Sequence, residues 1–260
     1  MKKCIAILLL LCLLLTGCEA DISMQHTQRS RQSKETAPTE TTVLTEPETT
    51  LPPHSEFYLE GYSVEDVIAY FNEVCLDTEW AGDGDATVVQ KWMSTIYYYV
   101  YGTPTQEDLM LLEDFTGELN ELIGFPTLQQ TQHWGDANLN IYFGDSEQME
   151  YLFGDNAANN DGAVQFWYDS DNHIYNANIC VRTDLDQHTR NSVIMEELYN
   201  GLGPVQDTSL RQDSLIYSAY STPQEMTDMD RLILKLLYHP DIKCGMNAQE
   251  CEEVIRQLYY

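Results

Sequence analysis

From Glu56 onward the apolar positions fall into short runs separated by turn residues. The run behind the capping residue Ser63 predicts a helix over 64–76, and Gly82-Asp83-Gly84-Asp85 then breaks the chain. Ile96-Tyr97-Tyr98-Tyr99-Val100-Tyr101 is β-branched and aromatic, which predicts a strand. Its alternate residues are read as serving one buried face, ahead of a ligand platform. Thr105, with Asp108 three residues on, opens a helix reaching Ile123. A strand over 139–143 and a short helix over 146–153 follow. Two strands, 163–168 and 174–182, form a hairpin turned at Asp169-Ser170-Asp171-Asn172. Helices are predicted over 187–202, ended by Gly203-Pro204, over 226–238, stopped before Pro240, and over 248–260. Strands and helices in mixed order predict a single α+β domain over 56–260, long enough for one sizeable core.

The first 55 residues follow another pattern. Lys2 and Lys3 precede an apolar run from Cys4 to Leu15, too short to span a bilayer as a helix of about 20 apolar residues. The run exits through Leu15-Thr16-Gly17-Cys18. A positive head, a short apolar body and a small-residue exit predict a cleaved signal peptide over 1–17. The exit resembles the lipobox of bacterial lipoproteins. That resemblance implies lipid on Cys18, cleavage before it, and a place on the outer side of the cell membrane, anchored through the lipid. The alternative is an ordinary secretory peptide with an incidental cysteine. Residues 18–55 are rich in Thr, Ser, Glu and Pro and read as a disordered tether, because they carry too little apolar surface to offset the entropy of ordering.

Charge narrows the partners. The chain has 42 Asp and Glu against 13 Lys and Arg. Such a balance repels phosphate backbones, which excludes nucleic acid, and it repels an anionic lipid surface, so the lipid must do the anchoring. A protein or cell-wall partner remains open. Cys75, Cys180, Cys244 and Cys251 permit two disulfides in three connectivities, and Cys244 and Cys251 are the easiest pair to bridge.

The chemistry concentrates in Val193-Ile194-Met195-Glu196-Glu197-Leu198-Tyr199-Asn200-Gly201-Leu202-Gly203-Pro204-Val205-Gln206-Asp207. Ile194, Leu198 and Leu202 make one buried stripe, while Glu196 and Asn200, also four apart, share another face. The frame resembles the active-site helix of metzincin zinc peptidases, H-E-x-x-H-x-x-G-x-x-H. In that motif three histidines hold zinc and the glutamate is the general base. Here Glu197 and Gly203 match, while Glu196, Asn200 and Gln206 fall on the histidine positions. Ser214-Leu215-Ile216-Tyr217 looks like the Met-containing turn of the matrixin type, with Ile216 at the methionine, and Asp230 opens a helix ending in Leu-Tyr.

The domain also resembles a family of bacterial exported domains of unknown function, often lipoproteins, with E-E-L in place of H-E-L. The matching residues are Trp92, Gly102 to Thr105 with Asp108, Ala137-Asn138, Glu196-Glu197-Leu198, Gly203 with Asp207, Asp230 to Pro240, and Gly245-Met246. The two resemblances imply a zincin-like fold with a mixed sheet and an active-site-type helix.

Carboxylate and amides make a poor zinc set, so no metal and no cofactor is expected. The histidines outside the tether, His133, His173, His188 and His239, lack ligand spacing. The stretch from Asp155 to Gly162 fails the EF-hand spacing and reads as a loop. The sequence is thus read as a membrane-anchored binding or scaffolding lipoprotein on a degenerate zincin-like domain, with Glu197 a vestigial catalytic residue. The alternative is a peptidase or cell-wall hydrolase using Glu197 with nearby carboxylates, Glu196 and Asp207 among them. A third reading takes Glu196 and Glu197 as an ordinary solvated helix face.

Overall fold

The computed structural model describes residues 55–76, 88–154, 157, 159–219 and 222–260. The expected signal peptide, Cys18, nearly all of the tether and the Gly82 to Asp85 break lie outside them. The described chain is a mixed α/β arrangement with six α-helices. They are α1 (Val64–Leu76), α2 (Gln106–Asn120), α3 (Ser146–Phe153), α4 (Gln187–Asn200), α5 (Asp228–Leu237) and α6 (Ala248–Tyr259). Six strands form one sheet: β1 (Lys91–Trp92), β2 (Ile96–Gly102), β3 (Leu128–Gln130), β4 (Leu139–Gly144), β5 (Gly162–Tyr168) and β6 (His173–Arg182). The order is β1-β6-β4-β2-β3, all pairings parallel, and β5 adds to β6 antiparallel. The sheet is therefore mostly parallel: α2 lies between the paired strands β2 and β3, and α3 with β5 lies between β4 and β6, whereas β5 and β6 meet through a tight turn. In that turn Asp169 Oδ1 accepts the N–H groups of Asp171 and His173, and Asn172 takes φ 62°.

Local capping fixes where several helices begin. Ser63 and Asp66 exchange side-chain and backbone bonds at the start of α1, and Thr105 with Asp108 do the same for α2. Helix α5 starts at Asp228, two residues later than the apolar pattern suggests, because Thr227 and Asp230 form the capping box there. Helix α4 stops at Asn200 instead of Leu202 for a tertiary reason. The Gly201 carbonyl accepts the Trp92 indole N–H at 2.9 Å, and the Leu202 carbonyl accepts the Tyr238 hydroxyl at 2.7 Å. Gly203, at φ +122°, then turns the chain where a Cβ would lie 2.9 Å from Leu237 and 3.0 Å from the Gln90 carbonyl.

Strands β1 and β3 carry no periodic signal. Strand β3 exists because the Asn120 amide brackets Leu128, donating to its carbonyl at 2.7 Å and accepting its N–H at 2.8 Å. The core lies against one sheet face, where Ile96, Leu139, Ile141, Ala177 and Ile179 meet Phe71, Leu198, Ile233 and Ile255 from the helices. Among the described residues, Cys75, Cys180, Cys244 and Cys251 are free thiols. Cys180 is buried under α3 with Met149 and Ala157, and Cys251 is sealed in the main core. The Cys244 thiol faces the Lys91 carbonyl instead of Cys251, so the pair favoured by chain spacing is not bridged. Among the described residues no helix is long and apolar enough to cross a membrane.

Candidate functional site

The end of α4 and the segment after it bring the acidic and amide residues together. Helix α4 is capped by Asp186, which accepts the Thr189 N–H at 3.1 Å, and it packs on the core face of β5 and β6. Glu197 therefore points inward, with 9 % of its surface exposed. Its carboxyl lies against the first residue of β5: a Cβ at Gly162 would stand 2.5 Å from Glu197 Oε1. Glu196 is only partly buried. The turn at Gly203 carries the chain back, and the Gln206 N–H reaches the Val74 carbonyl at the end of α1. Asn200 then donates to Asp207 Oδ1 at 3.3 Å. Below this, Thr208 donates its N–H to the Ile216 carbonyl at 2.8 Å, so the Ser214 to Tyr217 turn underlies the segment.

The electrostatics are dominated by like charges in a poorly hydrated place. Burial pushes the Glu196 carboxyl up to about 8, and Asp207 and Asp161 add to the shift. Burial also raises Glu197 well above the ordinary carboxylate range, with Glu196 and Asp207 contributing. Neighbouring carboxylates with little water cannot all ionise, so protons are retained. Two amide oxygens complete the set: Asn200 Oδ1 and Gln206 Oε1 are buried and accept no hydrogen bond among the described residues. Asn200 is 6 % exposed.

The expected site residues Glu196, Glu197, Asn200 and Gln206 thus belong to one region, with Asp207. Asp207, and not Gln206, is the side chain that meets Asn200; the Gln206 amide instead donates to the Asp207 carbonyl. A solvated helix face does not describe Glu197 or Asn200, both of which are buried. Sequence reasoning missed Asp161 and Gly162, which it read as loop. They reach α4 only through the pairing of β5 with β6, and no local pattern announces that. It also missed Lys91, buried with its ammonium donating to the carbonyls of Leu237, the last residue of α5, and of Ile242 beyond it. Burial pulls this lysine down to about 8. It borders a separate cavity of about 740 Å³ with Trp92, Asn172, Tyr238 and Cys244. With its donors taken by carbonyls, Lys91 serves as a cap and not as a nucleophile.

The raised Glu196 makes stability depend on pH. The folded chain holds this proton more tightly than the unfolded chain, so between about pH 4.5 and 8 it binds more protons. Stability therefore falls as pH rises through that window, by at most about 1.4 kcal/mol per unit. The contribution is complete below the unfolded value and lost above the folded one. Thermal melts at pH 5 and pH 8 should show a lower Tm at pH 8, and Glu196→Gln should shrink that difference. An unchanged slope in the variant counts against the assignment.

These features define a mixed α/β domain with a buried carboxyl and amide cluster at the end of the helix that follows the sheet. The chain belongs to a family described as "Protein of unknown function (DUF2927)", which matches residues 64–257. No curated protein matches the chain.

Proposed function

We propose that the chain is a membrane-anchored extracytoplasmic lipoprotein, held by lipid on Cys18, whose zincin-like domain binds or scaffolds a protein or cell-wall partner without zinc peptidase chemistry. The zincin-like reading is supported by the run from β6 into α4, the turn at Gly203 and the Ser214 to Tyr217 turn beneath Thr208. The observation that carries the loss of chemistry is the donor set. Glu196, Asn200 and Gln206 stand where imidazoles would hold zinc, and they offer one carboxyl and two amides. Zinc prefers nitrogen and sulfur donors, and amide oxygens are poor substitutes, so these residues do not fit that ion. Glu197, in the place of the base, is enclosed against Gly162, and burial raises its carboxyl well above the ordinary range, which disfavours the ionised form a base needs.

Metal analysis of the purified full chain tests this: zinc should be far below one per chain. Stoichiometric zinc that is lost on Glu197→Gln or Asn200→Ala would overturn the reading. Cys18→Ala should move the protein from the membrane fraction to the soluble one.

The alternative is a hydrolase acting through Glu196, Glu197 and Asp207. It is favoured by Glu196 keeping its proton to about pH 8, as a general acid requires. Turnover of peptide or peptidoglycan that disappears in both Glu196→Gln and Glu197→Gln would establish it in place of the binding reading.

A further inference from the structure

The face of the sheet opposite α4 has a composition of its own. Along β2, Ile96 and Tyr98 enter the core, so Tyr97, Tyr99 and Tyr101 point to the other side. The register aligns Tyr99 with Asn140, Asn140 with Asn178, and Asn178 with Gln165, making one row across β2, β4, β6 and β5. Trp167, two residues beyond Gln165 on β5, stands opposite Asn176. Helix α3 covers one end of this face, where Met149 packs with Cys180. Toward the other end Tyr97 is 37 % exposed and Gln165 is exposed. At the covered end Tyr101 and Tyr142 stack with ring centroids 4.6 Å apart and border a cavity of about 290 Å³.

We propose that this face is a binding platform for an uncharged carbohydrate chain. Three properties select that ligand. First, between the rows of Tyr97 and Tyr101 the outward positions of β2, β4, β5 and β6 carry no charged side chain, although the chain holds 42 acidic residues. The platform therefore offers a cation no counter-charge, and the net charge of −29 repels polyanions. Second, the aromatic rings present electron-rich faces that suit the C–H faces of pyranose rings. Third, the amides between them supply donors and acceptors together, which hydroxyl groups satisfy. The Asn140 amide donates to Asn178 Oδ1 at 3.0 Å, which holds both side chains and leaves Asn140 Oδ1 and Asn178 Nδ2 to a ligand. An apolar protein surface would desolvate these amides without pairing them, at a cost per group that a sugar avoids.

The test titrates hexamers of N-acetylglucosamine, glucose and mannose into the full chain, following tryptophan fluorescence and heat. At least one hexamer should bind with Kd below about 1 mM. Tyr97→Ala and Gln165→Ala, both at exposed positions, should each weaken it about tenfold or more with circular dichroism unchanged. Binding that survives both substitutions overturns the proposal, as does failure of all three hexamers to bind. A concentration-dependent dimer that dissociates on Tyr97→Ala would also overturn it, by giving the face to a second copy of the chain.

Discussion

Asp230→Ala should lower the free energy of unfolding by about 3–5 kcal/mol, one of the two largest effects expected in this domain. Asp230 is fully buried and gathers donors from three elements. The Tyr70 hydroxyl of α1 donates to Oδ1 at 3.0 Å, the Ser214 hydroxyl donates to Oδ1 at 2.8 Å, and Thr227 donates its N–H and hydroxyl to Oδ2 at 2.9 and 2.8 Å. Alanine leaves these donors in the core without an acceptor and removes the α5 capping box. Urea unfolding measures the loss. The variant should also loosen the Ser214 to Tyr217 turn, whose Ile216 carbonyl holds Thr208 beside Asp207. A loss below about 1 kcal/mol, the worth of one ordinary hydrogen bond, would show that Asp230 does not organise this junction.

Arg190→Ala should cost a similar amount, about 3–5 kcal/mol, by stranding a buried carboxylate. Arg190 Nε donates to Asp108 Oδ1 at 2.9 Å, with both side chains nearly inaccessible. Its other nitrogens donate to the carbonyls of Thr183 and Leu185 and to the Gln187 side chain. The pair locks the first turn of α4 to the first turn of α2, and so sets the direction in which α4 carries Glu196 and Glu197. Burial raises Asp108, but the bonds from Arg190, Thr105 and Gln187 outweigh it and hold the carboxyl below its ordinary value. Its contribution is present above the unfolded value and is lost as pH falls through the folded one. Arg190→Lys should recover little, because an ammonium cannot serve Asp108 and two carbonyls with the planar geometry of a guanidinium. Adding Asp108→Asn to Arg190→Ala should restore part of the loss, since no charge is then buried alone.

Both predictions concern residues that the sequence marked for other reasons. Asp108 was legible as a helix-opening acid three residues after Thr105, and Asp230 as the acid that opens the helix ending in Leu-Tyr. That each also gathers partners from a second helix or a distant loop was not legible, since those partners lie up to 160 positions away. The same division applies to the site. Glu196 and Asn200 share a helix face by their spacing, and Gly203 announces a turn. Yet the inward direction of Glu197 depends on α4 packing over β5 and β6, and the contact with Asp161 and Gly162 depends on the antiparallel edge strand. Tyr97 to Tyr101 were read as a strand with one buried face. Only the register with β4, β6 and β5 showed that the other face carries a row of rings and amides.

The sequence by itself determined what is local. Capping boxes, hairpin turn residues and apolar periodicity depend on neighbours within about four positions, and they located most helices and the β5 to β6 hairpin. Gly203-Pro204 marked the end of α4 only to within two residues, and tertiary structure decided the rest, because the indole of Trp92 and the hydroxyl of Tyr238 take the carbonyls of Gly201 and Leu202 just past it. It also decided that the Cys244 thiol faces the Lys91 carbonyl instead of Cys251, and that the carboxyls of Glu196 and Glu197 are raised above their ordinary values. Those properties come from burial and from groups far apart in the chain, and desolvation is a property of the packed molecule that no short stretch of residues encodes.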